Sequence, residues 1–153
     1  MQIDGSVEVK APRGEVFRLM VDPDCLSRVV PGCEKMALCG SNEYDVTLKI
    51  GVAAIKGTYG GKIRLEDIAA PESYRMIVEG CSAPGIVKGA GHIRLLEEGE
   101  TTRVLYSGDV QVSGKIAAVG NRFLGMIAKM LIGKFFEDMA REVQKEQLQG
   151  RAP

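Results

Sequence analysis

From residue 33 to residue 113 apolar and polar side chains alternate with period two in one segment after another, with Gly, Pro, Asn and Glu-Gly between the segments. That alternation predicts antiparallel strands over about 34–39, 43–50, 54–67, 73–81, 86–97 and 101–113, joined by hairpin-length loops such as Gly40-Ser41-Asn42 and Glu97 to Glu100. An earlier strand runs from Ile3 to Lys10, with Ile3, Gly5, Val7 and Val9 on one face and Gln2, Asp4, Ser6, Glu8 and Lys10 on the other. Between the two lie short helical segments. Pro12 suits a first helical turn, and Val16, Phe17, Leu19 and Met20 give an apolar face that stops before Asp22-Pro23. Asp22 is placed to cap a second helix with Pro23 at its first position, running to about Val29 and ending at Pro31-Gly32. After Ser113-Gly114 the period changes to 3.6 and holds to about Gln147, which predicts one helix of about 34 residues and ~50 Å.

Placing each strand's apolar parity on one side separates a dry face from a wet one. The dry side receives Met36, Leu38, Tyr44, Val46, Leu48, Ile50, Ile55, Tyr59, Ile63, Leu65, Tyr74, Met76, Val78, Val87, Ile93, Leu95, Val104, Tyr106, Val110 and Val112. The other parity takes the charge, including Asp45, Lys49, Lys62, Arg64, Glu79, Lys88, Arg94, Asp109 and the single histidine, His92. With no acid, base or histidine in the dry strand interiors, paired carboxylates, a Ser/His/Asp set or a metal triad cannot be assembled there. Gly5, Gly57, Gly61, Gly80, Gly89, Gly91 and Gly108 also have dry parity. They either bend a long sheet or leave inner volume unfilled. All four tyrosines point the same way, so each hydroxyl either bonds to backbone or water or supplies a polar contact in a pocket.

On the long helix, Ile116, Val119, Phe123, Met126, Ile127, Met130 and Leu131 form a stripe at about 100° per residue. Ala117, Leu124, Ala128 and Phe135 widen the apolar arc to roughly 200°. The stretch 115–136 carries Lys115, Arg122, Lys129 and Lys134 and no acidic residue, whereas Glu137, Asp138, Glu142 and Glu146 follow. Either the short N-terminal helices cover the extra arc while the lysines snorkel, or the arc and its basic edge meet lipid headgroups or a partner.

Composition narrows the functions. The chain has 153 residues, enough for one domain that buries roughly 70% of its unfolded surface without metal or disulfide staples. Its 20 Lys+Arg balance 20 Asp+Glu, which removes the electrostatic footprint that nucleic-acid binding needs. Cys25, Cys33, Cys39 and Cys81 show no C-x-x-C spacing and have one histidine to join them, so reduced thiols are expected rather than zinc or an iron–sulfur cluster. The opening residues lack the n- and h-regions of a signal peptide, and no apolar run is long enough to span a bilayer. The expected compartment is the cytoplasm, with any contact at the inner face of the cytoplasmic membrane being peripheral.

The order of strand, two short helices, six-stranded meander and long C-terminal helix resembles the α+β helix-grip fold of the START (SRPBCC) and birch-pollen-allergen superfamily. Asp22-Pro23, Pro31-Gly32-Cys33, Lys56-Gly57 with Tyr59, Gly61 and Lys62, Pro84-Gly85, Gly114-Lys115-Ile116-Ala117, Gly120, Arg122 and Phe135-Phe136 together resemble the CoxG-like family, the G-subunits of carbon monoxide dehydrogenase. The resemblance extends from residue 1 to about 145. It implies a seven-stranded sheet gripping the C-terminal helix around a hydrophobic cavity, in an accessory protein of a molybdenum hydroxylase rather than one of its catalytic components. Longer family members carry a C-terminal hydrophobic anchor, whereas this chain stops at Pro153, so integral anchoring is not expected.

The resulting expectation is a single domain over 1–148 with a frayed tail at 149–153. It would bind an apolar lipid or quinone-like molecule as a monomer or dimer, with no cofactor, metal or nucleic acid. The residues expected to line the cavity are Phe17, Tyr44, Leu48, Tyr59, Gly61, Met76, Val78, Gly89, Gly91, Tyr106, Phe123, Ile127, Met130 and Leu131. Arg122, Lys129 and Lys134 are expected at a partner-facing surface. The alternatives are an assembly or membrane-recruitment factor without ligand, and a cyclase-like enzyme of apolar substrates.

Overall fold

The computed structural model describes residues 1–52 and 55–150. Strand β1 (Gln2–Val9) leads into helices α1 (Arg13–Met20) and α2 (Pro23–Val29). The meander follows as β2 (Cys33–Gly40), β3 (Glu43–Ile50), β4 (Gly57–Ala69), β5 (Ser73–Ser82), β6 (Gly85–Glu98) and β7 (Thr101–Ser113). The seven strands form one antiparallel sheet in the order β1-β7-β6-β5-β4-β3-β2. Strand β4 begins at Gly57, later than the expected 54, a position that lies outside the described residues. Asp22 caps α2 by accepting a hydrogen bond from the Asp24 amide at 3.3 Å, and Pro23 opens the helix.

The register pairs dry-parity residues with one another across the whole sheet, as in Tyr44↔Ile63, Ile63↔Val78, Val78↔Gly89 and Gly89↔Val110. A slip of one residue in any strand would have turned its apolar set to water.

The C-terminal helix departs from the uninterrupted rod that its periodicity predicts. Lys115–Val119 form a 3-10 turn, Gly120 breaks the path at φ +94, and the α-helix α3 runs from Asn121 to Gly150. The Ile116 amide donates to the Pro84 carbonyl at 2.9 Å, tying the turn to the β5–β6 hairpin. Helix α3 also continues past the expected end at 147. Of the tail 149–153, residues 151–153 lie outside the described residues.

The close-packed core occupies one half of the molecule. There Val16, Phe17, Leu19 and Met20 of α1 and Cys25, Leu26 and Val29 of α2 meet Leu65, Tyr74, Leu95 and Val104 of the sheet and Phe136, Met139 and Val143 of α3. Ion pairs Arg18–Glu146 and Arg28–Glu142 clamp both short helices to the C-terminal half of α3. Burial pushes the Cys25 thiol up to about 11, with its sulfur 3.9 Å from Met139 Sδ, so it remains a protonated core residue.

Candidate functional site

Beyond that core, the sheet and the N-terminal half of α3 do not close on each other, and a cavity of about 530 Å³ lies between them. Its floor is the dry face of β3 to β7, its roof is Leu124, Ile127, Ala128, Leu131, Ile132, Phe135 and Phe136 of α3, and Leu26, Val30 and Pro31 close one side. The roof residues repeat at three- and four-residue intervals, the spacing of one helix face.

The inward glycines divide between bending the floor and emptying it. A Cβ on Gly61 would lie 1.8 Å from the Glu79 carbonyl oxygen, and one on Gly108 2.8 Å from the Ala90 oxygen, so at these positions adjacent backbones approach as only glycine allows. Gly61 and Gly80 are register partners, yet a Cβ on Gly80 would meet nothing nearer than the Gly60 oxygen at 4.0 Å. Gly80 therefore opens volume. Gly5 is covered by the Tyr106 ring, and Gly57 by the Ser82 hydroxyl.

The tyrosines are equally unlike one another. Tyr59 donates its hydroxyl proton to the Ile55 carbonyl at 2.6 Å. Tyr106 stacks on Phe136 with ring centroids 5.9 Å apart. Tyr74 stands edge-on to Phe17 at 5.6 Å and is 2% exposed. Tyr44 is buried in the core and does not border the cavity. Burial raises the pKa values of Tyr44, Tyr59 and Tyr74, with the charge of Asp22 adding to the effect at Tyr44, so all three are neutral phenols at physiological pH.

Leu48, Tyr59, Gly61, Met76, Val78, Gly89, Gly91, Tyr106, Ile127 and Leu131 of the expected lining do border the cavity. The others do not. Phe17 is a core residue behind Tyr74, and Tyr44 lies in the same core. Phe123 and Met130 point to solvent, 45% and 54% exposed, and Met126 beside them is 63% exposed. The break at Gly120 explains this correction. A stripe drawn through Ile116 and Val119 carries their phase into α3, whereas the helix starts afresh at Asn121 and turns Leu124 and Ala128 inward. Arg122, Lys129 and Lys134 are exposed, and Lys134 pairs with Asp138 at 3.2 Å.

Ile3, Val46, Ile63, Val87, Ile93, Val110 and Val112 also line the site, a signal already present in strand parity. Leu26, Val30 and Pro31 carried no such signal, because helix placement over a sheet is a tertiary property.

Among the described residues, charged side-chain groups are kept outside this space. Lys62 and Glu79 border it only from beside Gly61 and Gly80. Their parity faces the wet side, where Lys62 reaches Glu43 at 3.8 Å. His92 is exposed on the same wet face. Among the described residues, no group of three metal-ligating side chains comes together, and no helix is long and apolar enough to cross a membrane.

A curved antiparallel sheet closed by a long C-terminal helix over an apolar cavity defines a helix-grip domain of the START-like class. The sequence model of the carbon monoxide dehydrogenase G-subunit (CoxG) family matches residues 5–144, and the chain belongs to that family. Among solved structures it is similar to a conserved protein from Geobacillus kaustophilus, with 38% identity, a TM-score of 0.93 and coverage of 95% of this chain and 97% of that one. A START superfamily protein from Mycobacterium smegmatis shares the fold at 12% identity and a TM-score of 0.73, over 94% and 97% of the two chains. So does the Zhui aromatase/cyclase from Streptomyces sp. R1128, at 16% identity and a TM-score of 0.70, over 95% and 94%. No curated protein matches the chain.

Proposed function

We propose that this protein is a non-catalytic carrier that holds an apolar small molecule, of the lipid or isoprenoid-quinone kind, between sheet and α3. It would serve as an accessory to a carbon monoxide dehydrogenase-type molybdenum hydroxylase. The observation that carries the reading is the cavity of about 530 Å³ with apolar walls, a volume typical of small-molecule sites, whereas protein interiors otherwise pack densely. Burying about 200 Å² of ligand surface at ~25 cal/mol per Å² gives a gross ~5 kcal/mol before association costs. The family supports the link to the hydroxylase.

The phenols offer hydrogen bonds but no base, which favours holding a molecule over converting it. Extraction of the purified protein with organic solvent, followed by mass spectrometry, should yield a lipid-like species. Repeated empty extracts, with no uptake of added quinone or fatty acyl compound, would remove the reading.

A second reading draws on the outer face of α3, where Phe123, Met126 and Met130 are exposed at three- and four-residue spacing beside Arg122 and Lys129. This strip suits docking to a partner or to lipid headgroups. Reversing Arg122 and Lys129 to Glu should abolish retention by a molybdenum hydroxylase while leaving ligand uptake unchanged. Retention that survives the reversal would remove this second reading.

A further inference from the structure

We propose that the Tyr74 hydroxyl anchors the ligand, which is accordingly an uncharged, elongated apolar molecule carrying a carbonyl-class hydrogen-bond acceptor on its leading end. This deepens the carrier reading and rests on it.

The cavity has a deep end and an open end. At the deep end Tyr74, Leu65 and Ile93 are 2%, 5% and 5% exposed, and Phe17 of α1 seals the far side of the Tyr74 ring. At the other end the lining residues Ile50, Ile55, Val87 and Val112 are only half-buried, beside the exposed Ile86. Tyr74 and Gly80, the partner of Val87, stand six positions apart on β5, a distance of ~20 Å at ~3.3 Å per residue. A molecule entering by the open end would therefore lie lengthwise, with one end against Tyr74.

No described residue accepts a hydrogen bond from the Tyr74 hydroxyl, although a buried hydroxyl of this kind ordinarily has a partner. Every sealed polar side-chain atom of the described residues is satisfied, so the Tyr74 oxygen borders open space, and the space this residue lines is the cavity. Tyr59, by contrast, is already committed to Ile55. The hydroxyl thus lacks an acceptor that a ligand can supply. It is also a neutral donor, since burial disfavours the phenolate. Among the described residues no lysine, arginine or histidine side chain is turned inward to compensate an anion, since Lys62 borders the cavity through its backbone neighbourhood and pairs with Glu43 on the wet side, and an unpaired carboxylate would be expelled from such surroundings. A ketone, ester or quinone carbonyl meets both conditions, whereas a fatty carboxylate meets only the first.

The test uses three probes of equal chain length, methyl nonyl ketone, undecane and undecanoate, competing at neutral pH with the fluorescent apolar reporter N-phenylnaphthylamine. The proteins are the full chain and its Tyr74→Phe variant, each checked for folding by circular dichroism. The wild type should bind the ketone about fivefold more tightly than the alkane, the magnitude of one net hydrogen bond, and Tyr74→Phe should erase that difference. Undecanoate should bind most weakly to both. On the wild type alone, the infrared C=O stretch of bound ketone should fall to lower frequency than in alkane solvent, a readout that requires no variant. A ketone preference that survives Tyr74→Phe, an unshifted C=O band, or undecanoate binding as tightly as the ketone would overturn the anchoring role. Failure of both the reporter and all three probes to bind would instead remove the carrier reading, and this inference with it.

Discussion

Two glycines paired across β4 and β5 show how one residue type serves opposite ends. At Gly61 the added methyl of alanine would strike backbone at 1.8 Å and 2.7 Å, and backbone cannot swing aside as a side chain does. Gly61→Ala should therefore cost about 2 kcal/mol of stability, read as a lower urea midpoint with an unchanged slope. At Gly80 a side chain would project into open space. Gly80→Val should fold at least as stably as the wild type, because valine suits a strand and restricts the unfolded chain, while uptake of an apolar reporter falls sharply. Equal loss of stability in the two variants would show that both glycines serve curvature alone. The parity of these residues was legible in the sequence. Which of them bends and which empties was not, since that depends on how closely neighbouring strands approach.

Among the elements, most strands were readable to within a residue or two because their dry face is apolar through the strand interiors, where periodicity and burial coincide, whereas Leu38 on the edge strand β2 has dry parity and is exposed. Helix α3 was not, because one glycine in a left-handed conformation resets the phase and the sequence does not announce a 3-10 turn. The same helix is fixed to α1 and α2 by Arg18–Glu146 and Arg28–Glu142. The hydrogen bond from Arg28 holds the Glu142 carboxyl below its ordinary value of 4.5, so the pair's stabilisation is present above that value and is lost as pH falls through the lowered folded one. Glu142→Gln should cost about 1 kcal/mol at neutral pH and almost nothing once the wild-type carboxyl is protonated. Urea titrations of both proteins at neutral and acidic pH measure the difference. A cost independent of pH would mean that Glu142 contributes by packing rather than by charge.

Across the whole molecule, packing and function lean to opposite ends and meet at Leu65, Tyr74, Ile93 and Phe136, which belong to the core and also border the cavity. The core joins α1, α2 and residues 136–143 of α3 to one end of the sheet, whereas the roof between residues 116 and 132 has few apolar neighbours beneath it when the cavity is empty. Local opening costs least where fewest apolar contacts are broken, so hydrogen exchange should be faster in the first half of α3 than around Met139 and Val143. An apolar ligand adds the missing contacts only to the roof and floor. Saturation with methyl nonyl ketone should therefore slow exchange in residues 121–132 and in the cavity-facing parts of β4 to β6, and leave the α1–α2 clamp as it was. At a free concentration near a hundred times Kd the gain in global stability should approach about 2.7 kcal/mol. Uniform slowing over the entire chain would mean that the two halves open as one unit. Protection confined to the exposed strip of Phe123, Met126 and Met130 would place the ketone on the outer face of α3 instead of within the sheet's grip.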